Sequence, residues 1–454
     1  MKRKPRGKGD PIEHQMEQAL DPGGFIGDHE CFSFVSGLDK TAAHIRNLIK
    51  IDPVRAIALY ETFLAGCYAK ADELDDSSGS FGQFVGELFC AWIEARQAAG
   101  SDPDETATRL LAWKDDDDYG FCNDIEKDAA KAFDRPGLAA FEKQVRERFE
   151  AAATAEPTPG KPLGLQPEYR RLHWGGVLRT LYVAQKNIAG YIALAEETGL
   201  TGEDCHAVAT LLAARRKPDE ALAWVERGME LDRKTPHGFT AGHQLTKLQR
   251  ELLTKLGRGN EALDAAWNEF RKHPGKYSYG DLMKFVPKGE RPAWHEKAMD
   301  AAKGAVLHDL VELLLETKEI QRLADLVRSS TDEALEHVSH YTTEPAAKKL
   351  EKPHPDLAAR LWRAQGMRIV NAGKSKYYDA ALSNFESARR CYERAGLVDR
   401  WEQTVARVRA AHPRKTGFLS QLEVVAAGSR QKRQPSFLER AKTRWGERHG
   451  RGDS

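Results

Sequence analysis

The sequence predicts an all-α protein, an irregular solenoid of stacked helical hairpins. Three observations carry this. Apolar residues recur at spacings of three and four in nearly every segment from residue 38 onward. No β-type alternation of useful length occurs. Small residues fall where paired helices must approach: Ala381 and Ala388, seven apart, flank Phe385 in the most regular stretch, Leu357 to Val425. Tetratricopeptide-type hairpins pack in this way, and one hairpin cannot bury its apolar face without neighbours.

That stretch reads as a long hairpin followed by a third helix. Leu361, Trp362, Ile369 and Val370 line its outgoing arm, and Asn371-Ala372-Gly373-Lys374 make a polar bend. The return arm places Ala380, Ala381, Phe385, Ala388 and Tyr392 on one face. From the N-terminus, residues 1–37 lack period and read as a disordered basic arm. A helix follows from Leu38 to Ile51, and Asp52-Pro53 caps the next, with Ile57, Tyr60, Leu64, Cys67 and Ala71 on its apolar face. Asp75-Asp76-Ser77-Ser78-Gly79 stops it. The strongest amphipathic segment is Phe81, Phe84, Val85, Leu88, Phe89, Trp92 and Ile93. Ser101-Asp102-Pro103 caps a helix bearing Leu110, Leu111 and Trp113. Two more run through Ile125, Ala129, Ala132 and Phe133, and through Leu138, Phe141, Val145 and Phe149.

Residues 38–150 therefore form an N-terminal helical block. Residues 151–167, with prolines at 157, 159, 162 and 167, read as an extended linker. A helical-repeat array spans 168–425 and a disordered basic tail 426–454. The array opens with Leu178, Leu181, Val183 and Tyr191. Thr201 with Asp204 is a capping-box start, and Ala207 to Ala214 with Pro218 to Leu231 make a hairpin packed through Ala221, Trp224 and Gly228. A second copy runs through Leu252, Leu253, Leu256, Gly257, Ala262, Ala266 and Phe270 to Pro274. A looser third holds Leu282, Phe285, Trp294, Ala298 and Ala302, and Leu310, Leu313, Leu314, Leu323, Leu326 and Val327 supply another pair. Ala221, Ala262 and Ala298 lie 41 and 36 residues apart, against about 34 for a strict tetratricopeptide array, so the repeat is irregular.

Composition restricts function. The 454 residues carry 69 basic and 68 acidic side chains, a net charge of +1, so no global field draws the chain to nucleic acid or membrane. Charged residues make up 30%, as expected of helices with one wet face. Six scattered cysteines (31, 67, 90, 122, 205 and 391) form no Cys-x-x-Cys pair, which argues against a disulfide framework or zinc knuckle and for a reducing cytoplasm. The basic N-terminus lacks a following apolar region, so a secretory signal is not supported, and no run approaches the ~18 apolar residues of a membrane span.

Several stretches resemble a bacterial family of helical proteins known as a domain of unknown function. They are Pro53 to Gly79, Asp117-Asp118-Tyr119-Gly120, Tyr191-Ile192-Ala193-Leu194, Pro218-Asp219-Glu220-Ala221-Leu222 and Tyr377-Tyr378-Asp379-Ala380-Ala381-Leu382. His412 to Leu422 is also similar to the helical region accompanying SWIM-type zinc-binding modules. The resemblance covers roughly Leu38 to Val425 and implies no activity. The Cys-x-Cys plus Cys-x-His signature of a SWIM module is absent.

Candidate chemistry is sparse. Asp115, Asp117, Gly120 and Glu126 match positions one, three, six and twelve of an EF-hand-like calcium loop, but position five is Tyr119 and Cys122 takes the apolar position. A charged turn between helices explains them as well. His337 and His340, with Glu333, Glu336 and His354 nearby, could share a helical face as zinc ligands, although no third ligand is fixed. There is no G-x-S-x-G, P-loop or dinucleotide glycine pattern. Arg451-Gly452-Asp453 matches a cell-adhesion tripeptide by coincidence.

The expected function is a non-enzymatic scaffold that binds a protein or peptide in a groove lined by inner helices, with no cofactor and no membrane role. The groove residues are not assignable from sequence. The alternative is a nucleic-acid accessory protein using its basic ends: Lys2, Arg3, Lys4, Arg6 and Lys8, and Arg430, Lys432, Arg433, Arg440, Lys442 and Arg444 interleaved with Phe437 and Trp445. A weaker third is a metal-dependent enzyme built on the His337 region.

Overall fold

The computed structural model describes residues 10–21, 23–155, 166–234 and 241–428. Two compact units divide between Leu256 and Gly257. The first holds α1 (Pro11–Leu20), α2 (Asp28–Leu48), α3 (Pro53–Lys70), α4 (Ser80–Ala98), α5 (Pro103–Asp115) and α6 (Ile125–Ala132). It continues with α7 (Arg135–Thr154), α8 (Pro167–Ala184), α9 (Ile188–Thr198), α10 (Gly202–Ala214), α11 (Pro218–Lys234) and α12 (Gly242–Lys255). The second holds α13 (Gly259–Lys272), α14 (Lys276–Phe285), α15 (Arg291–Ala301), α16 (Leu307–Glu316), α17 (Ile320–Ser329) and α18 (Asp332–His337). It ends with α19 (His340–Leu350), α20 (Pro355–Ala372), α21 (Tyr378–Arg394), α22 (Val398–Ala411) and α23 (Thr416–Ala426). Among the described residues there is no strand, only an isolated bridge between Ile26 and Leu74. The described residues are all-α, and within each unit neighbouring helices pack as pairs, such as α10–α11 in the first and α20–α21 in the second.

The helix starts follow from local chemistry. Asp52 accepts from the Arg55 amide at 3.1 Å and Asp102 from the Asp104 amide at 3.0 Å, each ahead of a proline whose missing N–H costs nothing in the first turn. Asp10-Pro11 is the same device: Asp10 accepts from the Ile12 amide at 2.9 Å and pairs with Arg55 on α3 at 2.7 Å. The expected disorder of residues 1–37 is therefore corrected from Asp10 onward, since α1 and the first turns of α2 fall there. Met16, Ile26, Cys31 and Val35 are buried, so a thin apolar stripe suffices once α1 rests on α2 and α3. Residues 1–9 lie outside the described residues.

The aromatic face of α4 is wholly buried from Phe81 to Ile93. Phe63 meets Phe84 edge-on at 5.6 Å, and Trp92 meets Trp113 at 4.9 Å. The proline-rich stretch does not divide the chain as expected. Helix α7 runs to Thr154, Pro167 starts α8, and the two helices pack together within the first unit. Residues 156–165 lie outside the described set.

The α10–α11 hairpin forms as expected. A Cβ at Gly228 would stand 2.8 Å from Cys205 Cβ, so only glycine permits this approach. The second copy is divided between the two units. Leu252 and Leu253 serve the packing of α12 on α10 and α11, whereas Ala266 and Phe270 join the second unit's core through α13 and α14. The 41-residue spacing spans a unit boundary.

The most extensive helix pair is α20–α21. A Cβ at Gly366 would meet the Phe385 ring at 2.8 Å, which fixes the aromatic against the opposite backbone. Ala381, Phe385, Ala388 and Tyr392 are buried, but Ala380 is exposed and Leu382 takes its place. Two helices, α22 and α23, follow where one was expected, because residues 412–415 break the run. The tail from residue 429 lies outside the described residues.

A candidate binding cleft between α8, α9 and α10

A capping box builds the site. Thr201 Oγ1 accepts from the Asp204 amide at 3.1 Å, and Asp204 Oδ2 accepts from the Thr201 amide at 3.1 Å and its hydroxyl at 2.8 Å. The other oxygen, Oδ1, accepts from Arg179 Nε at 2.7 Å and from the Tyr191 hydroxyl at 3.0 Å. Arg179 also donates to Thr198 Oγ1 at 2.7 Å. One carboxylate thus ties the start of α10 to the middle of α8 and to α9. Burial pushes the Asp204 carboxyl up, but the Arg179 and Thr201 bonds outweigh it and hold it below the usual carboxylate range. Burial pushes the Tyr191 phenol up. Both groups are locked in one protonation state and serve as framework.

Above this frame lies an open cleft of about 830 Å³. Its base includes Gly175 and Gly176 on α8, where Gly176 faces open space. Its rim carries Leu172, 70% exposed, and Tyr169, 47% exposed. Arg171 lies 4.8 Å over the Phe149 ring and donates to Glu197 at 2.8 Å. Among the lining charges Arg171 and Arg179 are thus matched, whereas Glu168 and Glu203 pair with no described cation. The lining is mixed in sign with an acidic surplus.

Tyr191, Thr201 and Asp204 were visible in the sequence as a helix stripe and a cap, without a binding role. Arg179, Arg171, Tyr169 and Leu172 were not singled out. The only local signal was Tyr169 and Leu172, three apart on the first turns after the proline-rich stretch, apolar with nothing in the pattern to cover them.

The calcium-loop residues diverge. Asp115 pairs with Arg148 at 2.7 Å. Asp117 accepts from the Cys122 amide at 2.5 Å and from the Tyr68 hydroxyl at 3.1 Å. Glu126 is buried against the Lys114 ammonium at 3.2 Å, which itself donates to the Cys122 carbonyl. A lysine stands where a cation would be held. His337 and His340 do not share a helix, because Val338 and Ser339 are extended and separate α18 from α19. His337 contacts its own helix at Glu333 O, Glu336 pairs with Arg363 at 3.2 Å, and His354 precedes α20. Among the described residues no three His, Cys, Asp or Glu side chains gather to hold a metal. No described helix is long and apolar enough to cross a membrane. The basic ends, with Phe437 and Trp445, lie outside the described residues.

Known structures resemble the chain only distantly. One is described as the structure of Naa15/Naa10 bound to HypK-THB: 13% identity, 96% of this chain and 71% of that chain covered, TM-score 0.34. Another is a circular tandem repeat protein with novel repeat topology: 12% identity, 97% of both chains covered, TM-score 0.18. No curated protein matches. Residues 12–421 match the model of a family of unknown function, DUF6880. With nine-tenths of its length accounted for, the chain belongs to that family.

Proposed function

We propose that this chain is a non-enzymatic scaffold that binds an extended segment of a partner protein in the α8–α10 cleft. The observation that carries the reading is the cleft itself: an open volume of about 830 Å³ with exposed Leu172 and Tyr169 beside a glycine base. Apolar anchors beside a few charges are what a peptide site needs. The surplus of Glu168 and Glu203 favours a segment carrying Lys or Arg and opposes a phosphate backbone. The locked Asp204 and Tyr191 support a binding role over catalysis, since neither is poised to exchange a proton near neutrality. The nucleic-acid reading rests on the basic ends alone. The scattered cysteines support a reducing cytoplasm. A scaffold role also suits the resemblance of residues 412–422 to helices that accompany SWIM modules in bacterial proteins.

Photo-crosslinking tests this reading. A crosslinking residue at position 172 should trap a protein adduct that nuclease leaves intact and that Gly176→Leu removes. The variant fills the cleft, and replacing a helical glycine should hold or raise stability by about 0.5–1 kcal/mol. No adduct specific to position 172, or an adduct lost on nuclease treatment, would sink the proposal.

A further inference from the structure

In the second unit, α13 and α15 present two half-buried tryptophans at nearly a right angle. The Trp267 and Trp294 rings stand 5.5 Å apart at 77°. Each ring has a second contact. Trp267 stacks on the fully buried Phe270 at 5.8 Å, and the Trp294 indole N–H donates to Glu290 Oε2 at 3.2 Å. Lys297 inserts its ammonium into this notch, 3.9 Å from the Trp294 centroid and 4.5 Å from that of Trp267. Both distances fall within the ~6 Å range of cation–π attraction. Lys297 is exposed and, among the described residues, pairs with no carboxylate. Nothing but the two rings holds it there.

We propose that the Trp267–Trp294 notch is a binding site for a methylated ammonium group, of the trimethyl-lysine class, with Lys297 as its internal placeholder. The lysine shows that the notch has room and field for an ammonium. Its intramolecular position gives it a high effective concentration, so an ordinary lysine from a partner competes poorly. A methylated ammonium keeps the charge, is less strongly hydrated, and presents methyl groups to two ring faces, so it gains where Lys297 does not. The charges facing the notch are mixed. Glu290 supports a cation, while Arg271, 5.9 Å from the Trp267 centroid and bonded to Asn268 at 2.6 Å, opposes it at longer range. This site is independent of the α8–α10 cleft.

Calorimetric titration of the full chain with a trimethyl-lysine peptide, its unmodified twin and a single-stranded oligonucleotide tests the proposal. The trimethylated peptide should bind at least about tenfold tighter than its twin. Lys297→Ala should strengthen that binding by about two- to fivefold, because the competitor is gone. Lys297 is exposed, so this variant keeps its fold. Trp294→Ala should abolish binding with an unchanged circular dichroism spectrum. Equal affinity for the two peptides, an unchanged or weaker affinity in Lys297→Ala, or binding by the oligonucleotide alone would overturn it.

Discussion

Each unit buries a charge in a carboxylate–arginine arrangement, Asp204 in the first and Arg363 in the second, and the two differ in how completely that charge is answered. Asp204 in the first unit is 2% exposed and receives four hydrogen-bonding groups: Arg179, Tyr191, and the Thr201 amide and hydroxyl. Asp332 and Glu336 in the second unit share the guanidinium of Arg363, itself 3% exposed, at 3.0 and 3.2 Å. Arg360 and the more distant Arg407 also reach Asp332, at 2.9 and 3.7 Å. Arg363 Nε and Nη2 make no hydrogen bond, so Nη2 meets Asp332 as an ion pair only. The first is a closed frame around one acid. The second is a redundant cluster in which either acid can answer the buried cation, with two guanidinium nitrogens left without a hydrogen bond. The opposite pKa directions follow: Asp204 sits below the usual range and Glu336, pushed up chiefly by burial, above it.

The largest expected effect comes from the closed frame. Asp204→Ala strands Arg179 and the Tyr191 hydroxyl and removes the α10 cap in one step, so denaturant melts should show a loss of about 3–5 kcal/mol. The redundant cluster should lose less. In Asp332→Ala, Glu336 still answers Arg363, and Arg360 keeps its bonds to the Val327 and Ser330 carbonyls at 2.6 Å. A loss of about 1–3 kcal/mol is expected. Equal losses in the two variants would break the distinction between frame and cluster.

Packing was far more legible in the sequence than these polar arrangements. Apolar spacing alone placed Phe81 to Ile93, Ala381, Phe385 and Ala388 in the core, because one helical face is a local property. Asp204 was readable as a cap for the same reason. Its bond to Arg179 spans 25 residues and depends on how three helices meet, which no local pattern encodes. His337 and His340 were expected on one helix, yet the extended backbone of Val338 and Ser339 ends α18 between them, and the Glu336–Arg363 pair joins helices that no local pattern relates. The start of α1 does carry a local signal, since Asp10-Pro11 repeats the cap-and-proline pair of Asp52-Pro53 and Asp102-Pro103.

A packing variant sharpens the contrast by probing a site with no charge. Ala381 is fully buried where α21 meets α20. Ala381→Trp should cost about 1–3 kcal/mol or more by overpacking, with no dependence on pH. A melting temperature that hardly moves would mean that this helix pair gives way locally.

The smallest effect should be the most discriminating, because its sign depends on which way the carboxyl is shifted. Glu336 has a raised folded-state pKa, so its contribution to stability is fully present below its unfolded pKa and is lost as pH rises through the folded one. Asp204 runs the other way: its folded pKa is depressed, so its contribution is present above its unfolded pKa and fades as pH falls through the folded value. Glu336→Gln keeps an acceptor for Arg363 and Asn371 while removing the titration. Above the folded Glu336 pKa the variant should be slightly more stable than wild type, by less than about 1 kcal/mol, since the neutral amide avoids the buried charge that the raised pKa disfavours. Below it, where wild-type Glu336 is already protonated, the two proteins should converge. Melts of wild type and Glu336→Gln across the acidic range measure this directly. A wild-type advantage present near neutral pH that fades as pH falls would mean that Glu336 is held charged by Arg363, and that the second unit's cluster is as closed as the first unit's frame.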